Sequence, residues 1–335
     1  MEKLLSLSLQ IVFSPQQSKQ HPPTHTYIWR ESIYPPTIHI HMEGVNVYPP
    51  PYKNPTQMRH IIAILLTAII AVPATAARPK RLTILHTNDT HSCVLPMNPN
   101  LADTLVAGRG GFLRRITMIN AERAADPDLL YFDSGDFCQG SAYFTLFKGE
   151  VEIELMNRMG VTAATIGNHE WDNGMESLVA LVRQARFPFV CANYDFSETP
   201  LKDLVKPYIV IKRKGVRIGV FGLGPRLEGL VDKKNYGATR YLDPVQAARE
   251  TAQTLKEKKH CDVIICISHL GWSAEADIAM IQGSRYIDLV LGGHSHSRFT
   301  ELQHVRDLDG KDVSVDQNGK AAIYVGKIVV ELGRK

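Results

Sequence analysis

The sequence predicts an α/β layered domain with mixed sheets. From Arg81 onward, short apolar and often β-branched runs alternate with segments of three-to-four periodicity, the pattern of strands interleaved with helices. A hairpin-like pair of runs and a terminal pair of runs make the sheets mixed rather than purely parallel.

In chain order, residues 81–86 read as a strand and residues 110–121 as a helix, with Phe112, Leu113, Ile116 and Ile119 on one face. Residues 129–132 form a strand that runs into Asp133-Ser134-Gly135-Asp136. A helix over 151–159, a strand over 162–166, a helix over 175–185 and a strand over 189–193 follow. Residues 208–212 and 216–222 flank Lys214-Gly215 as a hairpin. Asp243 as N-cap and Pro244 at the first helical position start a long helix over 244–258. Runs at 263–268, 289–291, 322–325 and 328–332 complete the strands. No internal repeat, low-complexity tract or Pro/Ser-rich linker follows Arg78.

Bulk composition is that of a globular protein, with 44% hydrophobic and 21% charged residues. The net charge of +4 is spread along the chain, so no basic stripe marks a nucleic-acid interface. The five cysteines show no CxxC spacing and no zinc or redox signature. Cys191 and Cys266 lie in apolar runs and read as buried small hydrophobes; Cys138 reads as packed beneath a loop.

The front end has its own pattern. Met58-Arg59-His60 precedes an apolar run over 61–72, then Pro73-Ala74-Thr75-Ala76-Ala77 and Arg78. That is a basic region, a short apolar core and an A-x-A cleavage site. The run is too short for a stable membrane span. Residues 58–77 are therefore expected to be a signal peptide, and a buried helix fits the flanks less well. The Pro-, His- and Tyr-rich residues 1–57 read as a non-native or disordered leader, with translation starting at Met58. This assigns the catalytic domain to 78–335, a mature start near Arg78 and a periplasmic or secreted location.

Five short motifs follow the strands: Asp89-Thr90-His91, Gly135-Asp136, Asn168-His169-Glu170-Trp171-Asp172, Ser268-His269 and His294-Ser295-His296. Eight histidines follow Arg78 and five sit in these motifs, beside Asp, Asn and Gly rather than scattered. In open α/β sheets ligands collect at the carboxyl ends of strands. Carboxylates and imidazoles suit borderline divalent ions such as Zn, Mn, Fe or Co. Asp89 and His91, and likewise His294 and His296, are two residues apart, which on an extended chain aims each pair at one side. Asp136 has two oxygens and can bridge two ions. The Asn168 amide oxygen can ligate without adding charge. His169 suits a general acid, with Asp172 holding its imidazole in the useful tautomer. Glu170 reads as a structural hydrogen-bonding residue. His86 and Asp133 read as structural, and His260 and His304 as solvated. Together the motifs point to a two-metal hydrolase.

The ordered set T-N-D-T-H, G-D, G-N-H-E-x-D, S-H and G-G-H-S-H, with Gly110-Gly111-Phe112 and Gln139-Gly140, resembles the calcineurin-like metallophosphoesterase superfamily. Within it, the chain from about Arg81 is similar to the catalytic domain of the 5'-nucleotidase / UDP-sugar hydrolase / 2',3'-cyclic phosphodiesterase family. The resemblance implies an α-β-β-α sandwich of mixed sheets binding two divalent metal ions. It makes Asp89, His91, Asp136 and His296 ligands of the first ion. Asp136 would bridge, and Asn168, His269 and His294 would complete the second set. His169 and Asp172 would form the catalytic dyad, with Asn168 and His169 also meeting the substrate. The last ligand of the final motif is Gln in some relatives and His296 here. The implied reaction is 5'-nucleotidase-type hydrolysis of a nucleotide or other small phosphate ester without a covalent phospho-enzyme. The alternatives are a cyclic-nucleotide or sugar-nucleotide phosphodiesterase, or a metal-binding subunit. Longer members carry a second domain that holds the nucleobase, so a separate nucleotidase C-terminal-type domain protein is the expected partner.

Overall fold

The computed structural model describes residues 27–28 and 80–332. The leader and signal-peptide assignments, 1–57 and 58–77, lie outside the described residues apart from the two-residue strand β1, Tyr27–Ile28. Lys80–Thr87 (β2), Leu130–Asp133 (β3), Ala163–Ala164 (β4) and Gly326–Leu332 (β13) join β1 in a five-stranded sheet of order β1-β13-β2-β3-β4. The second sheet has order β11-β12-β10-β9-β7-β6. Its strands are Tyr208–Arg213 (β6), Val216–Leu223 (β7), Val263–Ser268 (β9), Leu289–Leu291 (β10), Gln303–Arg306 (β11) and Asp312–Asp316 (β12). A two-stranded ladder pairs Tyr194–Asp195 (β5) with Arg240–Tyr241 (β8). Apart from the end residues Lys80 and Leu332, these strands lie in one unit containing Arg81–Glu331; a second unit, 29–80 with 332–335, lies almost wholly outside the described residues.

The sandwich follows from burial on both parities of the central strands. Leu85 and Tyr131 join a core with Phe112, Ile119, Ile153, Met156, Leu178 and Leu181, which come from the helices Phe112–Ala125 (α1), Glu150–Met159 (α3) and Gly174–Gln184 (α4). Phe221, Ile264, Cys266 and Val290 form a second core with Ala248, Ala252 and Met280, from Pro244–Gln253 (α6) and Asp277–Gln282 (α7). The other parity, Ile84, Leu130, Phe132, Val220, Ile265, Ile267 and Leu291, is equally buried, because alternate side chains leave opposite faces of a strand. The two sheets are bridged where His86 meets Asp316 at 3.2 Å and Ser134 Oγ donates to the Leu291 carbonyl at 2.8 Å. The layers are thus helix, sheet, sheet, helix, as expected. Short helices at Ala142–Phe147 (α2) and Lys233–Tyr236 (α5) complete the set among the described residues.

Parallel pairing aligns the exits of the strands. Thr87 is opposite Asp133 in one sheet, and Leu291 is opposite Ile267 in the other. The six-stranded sheet is mixed, because β6/β7 and β11/β12 are antiparallel while β7/β9, β9/β10 and β10/β12 are parallel.

Three expectations are corrected. Residues 189–193 form no strand: the Val190 N–H bonds to Ala164 and the Ala192 N–H to Gly222, so the segment stitches the two sheets together. Residues 322–325 form no strand either. Ala321 and Ala322 adopt left-handed backbone, and the Ala321 N–H donates to the Asp89 carbonyl, so this segment folds beneath the first motif instead of pairing with β13. The long helix over 244–258 is α-helical only to Gln253 and ends in a wide turn over Thr254–Lys258, where the Lys259 N–H reaches back to the Thr254 carbonyl. Asp243 caps it as expected, accepting the Gln246 N–H at 2.7 Å.

Candidate metal centre

The loops after β2 and β3 run side by side. The backbone N–H groups of Asp89, His91 and Ser92 donate to the carbonyls of Gly135, Asp136 and Phe137 at 3.0, 2.9 and 2.9 Å. These bonds hold both loops in tight turns. Asp89, His91 and Asp136 take φ values of 48°, 44° and 53°, and His294 and His296 take 69° and 54°. Left-handed backbone is uncommon outside glycine and gathers at functional sites. Convergence therefore does not come from alternation on an extended chain: each pair sits on a coiled turn. His294 and His296 consequently face different neighbours.

One group is Asp89, His91 and His296. The Nε2 atoms of His91 and His296 lie 2.9 Å apart, and Asp89 Oδ1 is 3.9 and 3.4 Å from them. Around a tetrahedral zinc ion with bonds of about 2.0–2.1 Å, neighbouring donors stand roughly 3.3 Å apart. The other group is Asp136, His269 and His294. Asp136 also clusters with His91 and His169, so its carboxylate stands between the two groups.

Hydrogen bonds around these groups fix which lone pairs are free. His269 Nδ1 meets the Ser134 carbonyl. A carbonyl only accepts, so Nδ1 carries a proton. Nε2 is buried 3.0 Å from Asp136 Oδ2, where it carries either a second proton held by the carboxylate or a lone pair for a cation. Asn168 Oδ1 is buried without a hydrogen-bond partner. Uncompensated lone pairs of this kind are costly and fit a cation. Electrostatics agrees. Burial lowers the His269 imidazole, but Asp136, Asp89 and Glu170 outweigh it and raise it to about 10. Burial raises the Asp136 carboxyl, but His269 and the His169 backbone hold it well below the usual carboxylate range. Burial also raises Asp89, and His269 and His296 likewise outweigh it, leaving that carboxyl lowered. The pocket stabilises positive charge, as a proton or a divalent ion. Burial lowers His91 and His294, favouring the neutral ring that ligates metal. The donor set thus fits divalent ions.

His169 stands at the open side. Its Nδ1 lies 2.8 Å from Asp172 Oδ2, and its ring is 5.4 Å from that of His91. The bond to Asp172 raises the His169 imidazole against the effect of burial. All nine residues singled out in the sequence thus gather in or beside one site: two ligand clusters, the Asn168–His169 turn and the Asp172 that partners His169.

Supporting residues were only partly legible. Glu170, read as structural, is buried and accepts the N–H groups of Asp136, Gly167 and Cys138 at 2.9, 2.7 and 3.1 Å. Asn88 donates to Asp89 Oδ2 at 2.6 Å and accepts the Asn318 N–H at 2.9 Å. Buried Gln317 grips the last motif: its Nε2 donates to the Gly293 carbonyl, and its Oε1 accepts from Ser295 Oγ and the Ser297 N–H. Nothing local marks Gln317, since these partners are 20 to 24 residues away along the chain. His86 is buried among Ser134, Asp316 and Asn318, and burial pushes Asp133 up to about 6; both are structural, as expected. His260 and His304 are exposed. Cys138, Cys191 and Cys266 are buried and unpaired, and burial pushes the Cys138 thiol well above its ordinary value.

Residues 82–298 match the family model described as calcineurin-like phosphoesterase. The chain is 30% identical over 292 residues to a 5'-nucleotidase of Bos taurus, covering 82% of this chain and 50% of that one. It is 33% identical over 241 residues to a 5'-nucleotidase of Homo sapiens, covering 70% and 41%. Among solved structures, the 5'-nucleotidase precursor from Thermus thermophilus superimposes with a TM-score of 0.68 at 31% identity, covering 75% of this chain and 51% of that chain. The chain spans about half the length of the curated relatives it matches. Fold, ligand geometry and these likenesses agree: the chain belongs to the calcineurin-like phosphoesterase family, a family of metal-dependent phosphoester hydrolases.

Proposed function

We propose that this protein hydrolyses nucleotide phosphate monoesters, a 5'-nucleotidase-type reaction, with two divalent ions. The observation that carries this reading is the position of Asp136 between the two ligand clusters. Asp89, His91, Asp136 and His296 would hold one ion, and Asp136, Asn168, His269 and His294 the other, drawn from Zn, Mn, Fe or Co. When bound, such ions supply Lewis-acid charge for the phosphoryl oxygens and make water nucleophilic near neutral pH.

The chain's own residues do the rest. Asp172 accepts from His169 Nδ1, which fixes the ring and favours its protonated form. His169 Nε2–H can then stabilise an equatorial phosphoryl oxygen or protonate the leaving oxygen. The Asn168 amide oxygen adds a neutral donor, which limits charge repulsion in a carboxylate-rich pocket. The Asp136 carboxylate is locked by the His169 N–H at 2.9 Å, so the shared donor and the acid keep one spacing.

Among the described residues no helix is long and apolar enough to cross a membrane. The proposal includes export, with residues 58–77 as signal peptide and 78–335 as the catalytic domain. It also includes cooperation with a separate nucleotidase C-terminal-type domain that holds the base. The test is release of phosphate from AMP by protein loaded with each metal in turn and again after chelation. Metal-dependent turnover of AMP supports the reading. Turnover of cyclic AMP or UDP-glucose in preference to AMP would replace it by a phosphodiesterase, and metal-independent turnover would end it.

A further inference from the structure

His294 and His296 stand two residues apart yet enter different ligand clusters, one with Asp136 and His269, the other with Asp89 and His91. We propose that Gln317 is the positioning residue that divides these two histidines between the two ion sites; the inference rests on the two-ion reading above. Its hydrogen bonds go to the residues that alternate with the ligands, and none goes to an imidazole.

Strand pairing delivers Gln317 to this place. β10 ends at Leu291 and β12 at Asp316, and these two residues are opposite each other in parallel register. The next peptide extends the pairing, with the Gly292 N–H on the Asp316 carbonyl at 2.8 Å. Gln317 is fully buried, and glycine makes room for it: a Cβ on Gly292 would stand 3.1 Å from its Nε2. The amide then meets residues 293, 295 and 297. Nε2 donates to the Gly293 carbonyl at 2.9 Å, while Oε1 accepts from Ser295 Oγ at 2.8 Å and from the Ser297 N–H. A primary amide carries its donor and its acceptor at opposite ends of one rigid plane. Here the donor faces a carbonyl and the acceptor faces donors, so a single orientation satisfies the group.

The clamped turn is also referenced to the other ligands. Ser295 Oγ accepts the Trp272 N–H at 3.0 Å, which ties the turn to the loop after His269. The Gly319 N–H donates to the Ser297 carbonyl at 2.8 Å. Between them, the Asn318 N–H donates to Asn88 Oδ1, next to Asp89. Residues 317–319 thus fix His294 relative to the ligands of one cluster and His296 relative to those of the other. Both histidines hold left-handed backbone, which costs energy unless the surroundings over-determine it. A buried amide with its bonds unmade is costly as well, so the turn and Gln317 hold each other in one arrangement.

The test is calorimetric titration of the metal-free full chain with Zn, Mn and Co ions in turn, which counts the sites and gives each affinity. Gln317→Met keeps the length of the side chain and makes none of its bonds. It should weaken both sites by about 10–100-fold, whereas His294→Ala and His296→Ala should each weaken chiefly the site that loses its ligand. A purely structural role would lower the melting temperature of the metal-free variant and leave both affinities of the folded protein unchanged; that result overturns the proposal. Weakening of one site alone overturns it too, since Gln317 would then serve one histidine. Ser295 is exposed, so Ser295→Ala decides the question if Gln317→Met misfolds: several-fold weakening at both sites supports the clamp, and unchanged affinity at either site removes it. Wild type with fewer than two sites for every ion ends the two-ion reading and the inference with it. Two sites in wild type with unaltered affinities in the variants end the inference alone.

Discussion

The backbone N–H of His169 donates to Asp136 Oδ1 at 2.9 Å. This bond ties the proposed acid to the carboxylate between the two ligand clusters. Movement of one moves the other, so damage to the dyad and damage to the ligands must be separated by measuring metal and turnover together.

His169→Ala should cut kcat for AMP by about 10²–10⁴-fold, the usual weight of a positioned acid. The bound metal should stay unchanged, because the backbone N–H to Asp136 survives the substitution. Asp172→Asn should give a smaller loss and shift the limb of the pH–rate profile assigned to His169 toward lower pH, since the Asp172 bond is what raises that imidazole. Elemental analysis beside steady-state kinetics checks both; a His169→Ala enzyme at full rate would remove the dyad from the mechanism.

Gly167→Ala should strip metal from a folded protein. A Cβ there would collide with Asp136 Oδ1 and stand 2.8 Å from His269 Nε2. It would also stand 2.8 Å from the Asp136 backbone N, so the loop and both side chains would have to shift, since real Cβ contacts are not that short. Metal affinity should fall by about tenfold or more while far-UV circular dichroism stays native. Unchanged metal content would show that the two residues have room to move without losing the site.

Trp171→Ala should destabilise the fold by about 3–5 kcal/mol. The indole is fully buried, edge-on to Tyr194 at 6.0 Å and stacked on Phe196 at 6.4 Å. It lies in the turn His169–Trp171, so turnover should fall as well, even at temperatures where the variant is folded. Denaturant unfolding with a parallel assay separates the two effects. Unaltered stability would mean that the cavity collapses without cost.

Asp277 gives a pH-dependent prediction. Burial pushes its carboxyl up to about 7, against the Ser268 hydrogen bond that lowers it. The folded state therefore holds this proton where the unfolded chain, near 3.8, has lost it. The folded state binds more protons between those values, so this residue's contribution falls as pH rises from about 4 to 7. Asp277→Asn keeps an oxygen for Ser268 and cannot ionise. Relative to wild type, the variant should gain on the order of 1–3 kcal/mol between about pH 4 and pH 8. Parallel Tm curves for the two proteins across that range would contradict the assignment.

Much of the site was legible because metal chemistry restricts residue types. Asp, Asn and His after apolar runs mark candidate ligands without coordinates, and the residues chosen that way converge. The strands at 189–193 and 322–325 were misread for one reason: apolar patterning reports burial, whereas a strand also needs a partner edge. Val190 and Ala192 give their N–H groups to different sheets, which no window around them records. Helix α7, strands β11 and β12 and the β5/β8 ladder escaped notice because they are short, none longer than the six residues of α7, and carry weak periodicity.

By itself, the sequence determined the layered α/β plan, the types of the candidate ligands and the strand exits that bear them, since side-chain chemistry and hydrophobic period are local properties. Only the tertiary structure decided the left-handed turns at Asp89, His91, Asp136, His294 and His296, the tautomer of His269 and the grip of Gln317. Those depend on hydrogen bonds between loops far apart along the chain, where the energy that holds a strained backbone or chooses a protonated nitrogen comes from a neighbour that sequence does not place.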